Sequence, residues 1–169
     1  MSSENAVKIL VVGSNGSGKD LLLERVATPV GDVPEAGVRF FSKTMPVEGG
    51  EVKLQIWEWV HGDNPHSLKP SFSAGASAGI VVFDVRSIFS YEQTKVWIRI
   101  LQDINKIDPV MLVANYVQDA GRRVIPTSDA IDLAKERKCL YQEVDSTTGA
   151  DFEACLQQLV EQAGILSVA

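Results

Sequence analysis

A glycine-rich heptapeptide, GSNGSGK at positions 13–19, is the part of the sequence best suited to chemistry. It has the spacing G-x-x-x-x-G-K, in which glycines let backbone N–H groups curl around phosphate oxygens while the lysine reaches the outer phosphates. An apolar run, residues 7–12, precedes it, and a helix-like segment, residues 19–27, follows it. The sequence therefore predicts a phosphate-binding loop at a helix N-terminus, with a glycine-rich turn that binds nothing as the alternative.

Asp20 follows the lysine at the position where such loops carry a Ser or Thr that binds Mg²⁺. A carboxylate can bind Mg²⁺, but it also adds a negative charge beside a triphosphate. Charges in near contact interact by about 4 kcal/mol at an effective dielectric constant near 20. The other interpretation, which we favour, is that Asp20 stabilises the start of the helix through the helix dipole.

The segments that must position this loop alternate regularly between two hydrophobic periods. Short apolar runs predict strands buried on both faces, at residues 7–12, 79–85 and 110–115, and a further strand is predicted at residues 139–144. Amphipathic segments predict helices at residues 19–27, 90–104, 128–138 and 152–163. Strands that alternate with helices predict a mostly parallel sheet covered by helices on both faces, with ligands beyond the carboxyl ends of the strands.

Two strand-like runs break the alternation, at residues 38–47 and 51–60. The intervening Glu48-Gly49-Gly50 suits a tight turn, which predicts an antiparallel hairpin. Residues 28–37 contain two prolines and two glycines and predict an exposed loop. Residues 61–79 are polar and rich in small side chains, which predicts a loop with one irregular helix.

Composition excludes several classes of protein. The 169 residues carry a net charge of −6, which argues against nucleic-acid binding and gives no support for docking on an anionic membrane. The sequence contains no apolar run long enough to span a membrane, no signal peptide and no lipidation site, so we expect no direct membrane anchor. Two isolated cysteines indicate a reducing, cytoplasmic environment.

Four segments carry a family resemblance: EAGVRF at 35–40, VKLQIW at 52–57, GIVVFDV at 79–85 and KVWI at 95–98. In this order they resemble the Ras superfamily of small GTPases, and the Rab branch most closely. The resemblance spans residues 6–164 and implies an α/β P-loop NTPase fold of the G-domain type. That fold has a six-stranded, mostly parallel sheet with one antiparallel hairpin and about five helices in three layers. We expect one such domain over residues 1–169, with short flexible ends.

The resemblance also implies which residues would bind a nucleotide, with GTP or GDP and Mg²⁺ as the ligands, if binding is retained. They are Gly13, Ser14, Asn15, Gly16, Ser17, Gly18, Lys19, Asp20, Asn115 and Ser146.

The positions that sense the γ-phosphate and orient water depart from the family's pattern. Glu35 falls where a threonine binds Mg²⁺. The switch II motif Asp-x-x-Gly falls on Glu58 and, three residues later, His61. Gly62 stands where a glutamine orients the attacking water, and it has no side chain to do so.

The base-reading positions also depart from the pattern. The motif Asn-Lys-x-Asp falls on residues 115–118, where Asn115 is kept, Tyr116 replaces the lysine and Gln118 replaces the aspartate. Asp119, one position along, is a partial substitute. The Ser-Ala-Lys motif falls on residues 145–147, which read DST. These departures predict little or no GTP hydrolysis.

The leading hypothesis is a Rab-like pseudoGTPase that acts as a protein-binding module or structural subunit. It needs no cofactor, has no catalytic residue and no metal site, and contacts protein partners in a soluble intracellular complex. Trp59 and His61 are the candidate partner-binding residues. We expect the chain to be monomeric alone or a subunit of a hetero-oligomer, cytoplasmic, and associated with cilia or vesicles only through its partners.

Two alternatives stay open. One is a weak or atypical nucleotide binder with slow turnover, which would depend on Lys19 in its intact loop. The other is an enzyme with new chemistry around Glu58, His61 and Asp63, which would need a defined pocket at these residues.

Overall fold

The computed structural model describes residues 6–35, 37–116 and 122–164, except for the side chains of residues 32–35 and 150. Seven strands form one sheet. They are β1 (Ala6–Gly13), β2 (Thr28–Glu35), β3 (Val38–Val47), β4 (Gly50–Trp59), β5 (Ala78–Asp84), β6 (Val110–Asn115) and β7 (Leu140–Val144). Their order across the sheet is β2-β3-β4-β1-β5-β6-β7.

Five α-helices lie in the described part of the chain. They are α1 (Lys19–Val26), α2 (Pro70–Ser73), α3 (Ile88–Arg99), α4 (Thr127–Arg137) and α5 (Ala150–Gln162). A π-helical turn, Ile100–Ile104, extends α3, and a 3₁₀ turn, Pro65–Ser67, precedes α2. The predicted helices are therefore present.

The centre of the sheet is parallel, as predicted: β1 pairs with β4 and β5, β5 with β6, and β6 with β7. The predicted hairpin is also present, because β3 and β4 pair antiparallel from Val38 opposite Trp59 to Val47 opposite Gly50. Parallel strands place their carboxyl ends on one edge. The loops after β1, β4, β5 and β6 therefore meet there.

Two expectations about the sheet were wrong. Residues 28–37 are not simply a loop, because Thr28–Glu35 form β2, which pairs antiparallel with β3. The sheet therefore has seven strands rather than six, and two antiparallel pairs rather than one. β2 lies at the edge of the sheet, where Pro29 and an irregular register are tolerated, so its turn-rich composition concealed a strand.

Helices cover the sheet on both faces and complete three layers, as the family resemblance implied. On one face, α1 and α5 bury Leu22, Leu23 and Phe152 against the sheet. On the other, α3 and the segment after β4 bury Trp97 and Phe72. Burial excludes water from both interfaces, so the strand ends are held in fixed relative positions.

The two cysteines are free thiols. Cys155 is buried in the core beneath α5, and burial raises the pKa of its thiol to about 12. Cys139 is half-buried, and burial raises the pKa of its thiol to about 11. Both thiols are therefore almost fully protonated near neutral pH, as expected of packing residues.

Candidate functional site

The glycine-rich loop joins the end of β1 to the start of α1, as the sequence predicted. Gly18 caps α1 with a left-handed backbone, φ 94°. A Cβ at this position would overlap the amide group of Asn115. Glycine is therefore required here both by backbone geometry and by space.

Asn115 braces the loop from the end of β6. Its Nδ2 donates to the carbonyl oxygen of Ser17 at 2.9 Å, and its Oδ1 accepts from the backbone N–H of Ser146 at 3.0 Å. The side chain is buried. One amide thus ties the glycine-rich loop to the segment after β7, and it brings together three of the residues that the resemblance assigns to nucleotide binding.

Ser14 and Ser17 are buried within the loop. Ser14 Oγ donates to Ser90 Oγ at 2.8 Å, which anchors the loop to α3. Ser17 Oγ is buried and makes no hydrogen bond with any described residue. A buried hydroxyl without a hydrogen bond destabilises the folded state. The Ser17 hydroxyl is therefore available to a ligand of the loop.

The ammonium group of Lys19 is enclosed, and its residue is only 3% exposed. Nζ lies 4.0 Å from Asp20 Oδ1 and 4.0 Å from Glu58 Oε2. Burial lowers the pKa of Lys19, while the charges of Asp20 and Asp63 oppose that effect. The cation that should meet outer phosphates therefore faces carboxylates of its own chain.

Arg39, on β3, completes a cluster of alternating charges. Its Nη1 lies 3.5 Å from Glu58 Oε1 and 4.0 Å from Asp20 Oδ2. Both oxygens of Glu58 are buried and accept no hydrogen bond from the described residues, so only ionic contacts compensate this carboxylate. Arg39 is not among the site residues predicted from the sequence. The hairpin register, which places it opposite Glu58, is the signal that could have revealed it.

The Mg²⁺ of P-loop NTPases is held by the residue after the loop lysine and by a carboxylate of the next motif, which here are Asp20 and Glu58. Arg39 and Lys19 already lie against both carboxylates. Among the described residues, no group of three or more His, Cys, Asp or Glu side chains could hold a metal ion. These residues do not fit Mg²⁺ bound in the usual manner.

The segment after β4 occupies one backbone amide of the glycine-rich loop. The backbone N–H of Asn15 donates to Asp63 Oδ1 at 2.7 Å, so a carboxylate of the chain holds this amide. Gly62 N–H donates to Asn15 Oδ1 at 3.2 Å. The segment after β4 therefore packs against the glycine-rich loop at Asn15.

Trp59, a candidate partner-binding residue by sequence, is not at the surface in this structure. Trp59 is 1% exposed, and its ring lies 5.5 Å from that of Phe72, measured between centroids. Its position at the end of β4 turns the ring into the core on the α3 face. His61 is exposed and meets Trp59 edge-on, so it remains a candidate for partner contact.

Other predicted site residues fall in different places. Glu58 is buried and faces Lys19 and Arg39, whereas His61 and Asp63 are exposed. The side chain of Glu35 and all of residues 117–121, with Gln118 and Asp119, lie outside what the structure describes. The base-reading predictions at these positions stay predictions.

A parallel sheet whose first strand runs through a G-x-x-x-x-G-K loop into a helix defines the P-loop class of nucleotide-binding folds. A model of the Ras family matches residues 8–164. The Ras-related protein Rab-18 of Caenorhabditis briggsae is 32% identical over 161 residues, which cover 92% of this chain and 79% of the relative. Rab-18 of Lymnaea stagnalis is 33% identical, with the same coverage of both chains.

A plant relative, RABF2b of Arabidopsis thaliana, is 30% identical over 159 residues, which cover 92% of this chain and 80% of the relative. The chain therefore belongs to the Ras family, in which it is a Rab-like small GTPase by sequence. Within the described residues, no helix is long and apolar enough to cross a membrane.

Proposed function

We propose that this chain is a Rab-like pseudoGTPase: a protein-binding module or structural subunit of an intracellular trafficking or ciliary-type complex, with little or no GTP hydrolysis. It carries no catalytic residue and needs no nucleotide or metal to fold. Its partners are proteins of a soluble complex, and any contact with vesicles or cilia is made through them.

The observation that carries the proposal is the pairing of the metal-site carboxylates with cations of the chain. Glu58 is fully buried, and both Lys19 and Arg39 lie within 4.0 Å of it. Mg²⁺ would have to displace the guanidinium of Arg39 from this carboxylate, and Arg39 would then keep Glu24, 3.0 Å away, as its close partner. Phosphoryl transfer in P-loop enzymes depends on a metal ion that bridges the β- and γ-phosphates, so losing the metal removes hydrolysis.

The residues for the attacking water support the same conclusion. Gly62 has no side chain to orient water, and a Cβ at this position would overlap the carbonyl oxygen of Gly13. His61 replaces the glycine whose N–H meets the γ-phosphate in the resembling family. A nucleotide-dependent switch requires different affinities in two states, and without a γ-phosphate sensor the chain has no source for them.

The outer face of the hairpin suits a protein partner. Phe40 and Trp57 pack edge-to-face with ring centroids 4.9 Å apart, and both are half-buried. Beside them is a cavity of about 310 Å³ that also contacts Val30, which is 55% exposed. Aromatic side chains next to a small cavity are common at the centres of protein interfaces, so we assign constitutive partner binding to this face, with His61 as a separate candidate contact.

A second candidate function is weak nucleotide binding with slow turnover. It is supported by the part of the glycine-rich loop next to Ser17. Asn115 still braces Ser17 and Ser146, and Ser17 Oγ is buried without a partner among the described residues. A diphosphate bound at this part of the loop alone would contact Ser17 and the segment that Asn115 braces. Its binding would not require the metal-site carboxylates.

Calorimetry with GTP, GDP, ATP and ADP, with and without Mg²⁺, separates the two functions. The pseudoGTPase predicts no heat of binding and no phosphate release above that of buffer, with a Rab-18 relative as the positive control. Weak binding predicts heat that the variant Lys19→Ala abolishes. Tight Mg²⁺-dependent binding of GTP with measurable turnover would contradict the proposal.

The partner function is tested by co-purification of the tagged chain from cells, with EDTA in one half and a non-hydrolysable GTP analogue with Mg²⁺ in the other. Constitutive binding predicts the same partners in the same amounts in both halves. The variant Val30→Lys should lose them, whereas Leu21→Lys, a similarly exposed apolar position on α1, should keep them. Partners that appear only with the GTP analogue would contradict the proposal.

A further inference from the structure

The segment after β4 approaches the glycine-rich loop more closely than a side chain larger than glycine would allow at residue 62. Gly62 is buried, and any Cβ there would overlap the carbonyl oxygen of Gly13. Trp97 Nε1, within the core, donates to the carbonyl oxygen of Gly62 at 3.2 Å. The segment is therefore fixed on one side by the hydrogen bond from Trp97 of α3 and packs on the glycine-rich loop on the other.

This placement brings the carboxylate of Asp63 onto the loop. Asp63 Oδ1 accepts from the backbone N–H of Asn15 at 2.7 Å, a short distance typical of a charge-assisted hydrogen bond. Asn15 returns a bond, because its Oδ1 accepts from Gly62 N–H at 3.2 Å. The two segments thus exchange hydrogen bonds across 47 and 48 positions of sequence.

The charge of Asp63 also reaches the interior of the loop. Lys19 is enclosed, and among the charges that raise its pKa against the effect of burial, Asp63 follows Asp20. Backbone N–H groups of such loops and their lysine form a site for anions. A carboxylate that accepts from one of these amides makes one of the contacts that an outer phosphate would make, and its charge also acts on the lysine from a distance.

We propose that the carboxylate of Asp63 is an anion that the chain supplies to its own phosphate loop. It acts as a latch: it occupies the outer-phosphate position and holds the segment after β4 against the loop without nucleotide. This inference rests on the proposed function, since a domain with no need of nucleotide must satisfy its phosphate loop in another way. It goes further by naming the group that does so. It implies that the phosphate loop can still bind an anion and that Asp63 prevents it. Removing this carboxylate should therefore restore an anion site.

The first test measures the binding of inorganic pyrophosphate by calorimetry without metal. The variant Asp63→Ala should bind pyrophosphate at least about tenfold more tightly than the wild type, which corresponds to about 1.4 kcal/mol. Asp63→Asn keeps an oxygen that can accept from Asn15 but loses the charge, so it should fall between the two. The control Asp132→Asn removes an exposed carboxylate on α4 and should match the wild type.

The second test follows hydrogen exchange of the Asn15 amide by nuclear magnetic resonance. Exchange should become at least about tenfold faster in Asp63→Ala, because the amide loses its acceptor, while amides of the central strand β5 keep their rates. Asp63 is exposed, so neither variant should unfold the chain, and unchanged exchange in β5 verifies this. Saturating pyrophosphate should slow the exchange again in Asp63→Ala only.

Either of two results overturns the latch: equal affinity of wild type and Asp63→Ala for pyrophosphate, or equal exchange rates of the Asn15 amide in both. The proposed function fails on a different result, namely GTP turnover by the wild type. The two ideas can therefore fail separately.

Discussion

Lys19 and Glu58 form a buried ion pair between α1 and β4: Nζ lies 4.0 Å from Oε2, and the two side chains are 4% and 0% exposed. Arg39 lies 3.5 Å from the other carboxylate oxygen. Because neither oxygen accepts a hydrogen bond from the described residues, the charges of Lys19 and Arg39 are what compensates this buried carboxylate. The pair therefore belongs to the interior of the domain as well as to the candidate ligand site.

Replacing Glu58 by Gln should therefore destabilise the protein. We expect a loss of about 3 kcal/mol in the free energy of unfolding, because the buried Lys19 and the partly exposed Arg39 each lose one carboxylate partner. Urea unfolding followed by circular dichroism measures it. The matched control is Glu24→Gln, since Glu24 bonds the same Arg39 at 3.0 Å but is 47% exposed, and its loss should stay near 0.5 kcal/mol. Equal losses in the two variants would contradict a special role for Glu58.

Replacing Arg39 by Gln should make the protein responsive to Mg²⁺. Without the guanidinium, Asp20 and Glu58 keep only Lys19 as a counter-charge, so a divalent cation can bind and stabilise the folded state. Thermal unfolding in EDTA and in excess Mg²⁺ measures the effect. We expect Mg²⁺ to raise the melting temperature of Arg39→Gln by a few degrees and to leave the wild type unchanged. If Mg²⁺ raised the melting temperature of the wild type by as much, the guanidinium of Arg39 would not be what prevents Mg²⁺ from binding.

Trp59 and His61 should separate in their effects. Trp59→Ala removes a side chain that is 1% exposed and should lower the free energy of unfolding by about 3–5 kcal/mol. His61→Ala changes an exposed ring and should stay within about 0.5 kcal/mol. Chemical unfolding of both variants checks this. If Trp59→Ala kept wild-type stability and lost only a partner, the burial of Trp59 in the functional state would be refuted.

Glu143 should contribute a stability that depends on pH. The Arg123 guanidinium, with hydrogen bonds from Tyr141 and Thr127, holds the pKa of Glu143 at about 2, below its ordinary value of 4.5. A lowered pKa stabilises the folded state above pH 4.5, and the contribution is lost as the pH falls towards 2. Full linkage would give about 3 kcal/mol, which solvent screening at this partly exposed site reduces to about 2 kcal/mol.

The variant Glu143→Gln measures this contribution. Relative to the wild type, it should lose about 2 kcal/mol of unfolding free energy at pH 7 and about half as much at pH 3. Glu92→Gln is the control, because its ion pair with Lys95 is half exposed and should contribute little at either pH. A difference between Glu143→Gln and wild type that stays constant from pH 7 to pH 3 would contradict the assigned cause.

The sequence was sufficient where a local pattern determines structure. The spacing of Gly13, Gly18 and Lys19 predicted the loop and its helix, and apolar runs predicted every central strand, because burial on both faces leaves a continuous hydrophobic signal. β2 escaped because an edge strand needs neither continuous hydrophobicity nor freedom from proline.

The rest of the site depends on contacts between distant segments. Arg39 meets Glu58 across a hairpin, and Asp63 meets Asn15 across 48 positions, so neither contact leaves a local signature. The sequence left the side-chain direction of Trp59 open, and the structure shows that the end of β4 turns its ring into the core.

The central claim, that the chain needs no nucleotide, is tested most directly by the nucleotide content of protein purified without added nucleotide. Heat extraction followed by chromatography measures that content. The account predicts a folded protein with far less than one guanine nucleotide per chain, and the same result after dialysis against EDTA. Close to one GDP or GTP per chain, with unfolding when EDTA removes it, would contradict the account.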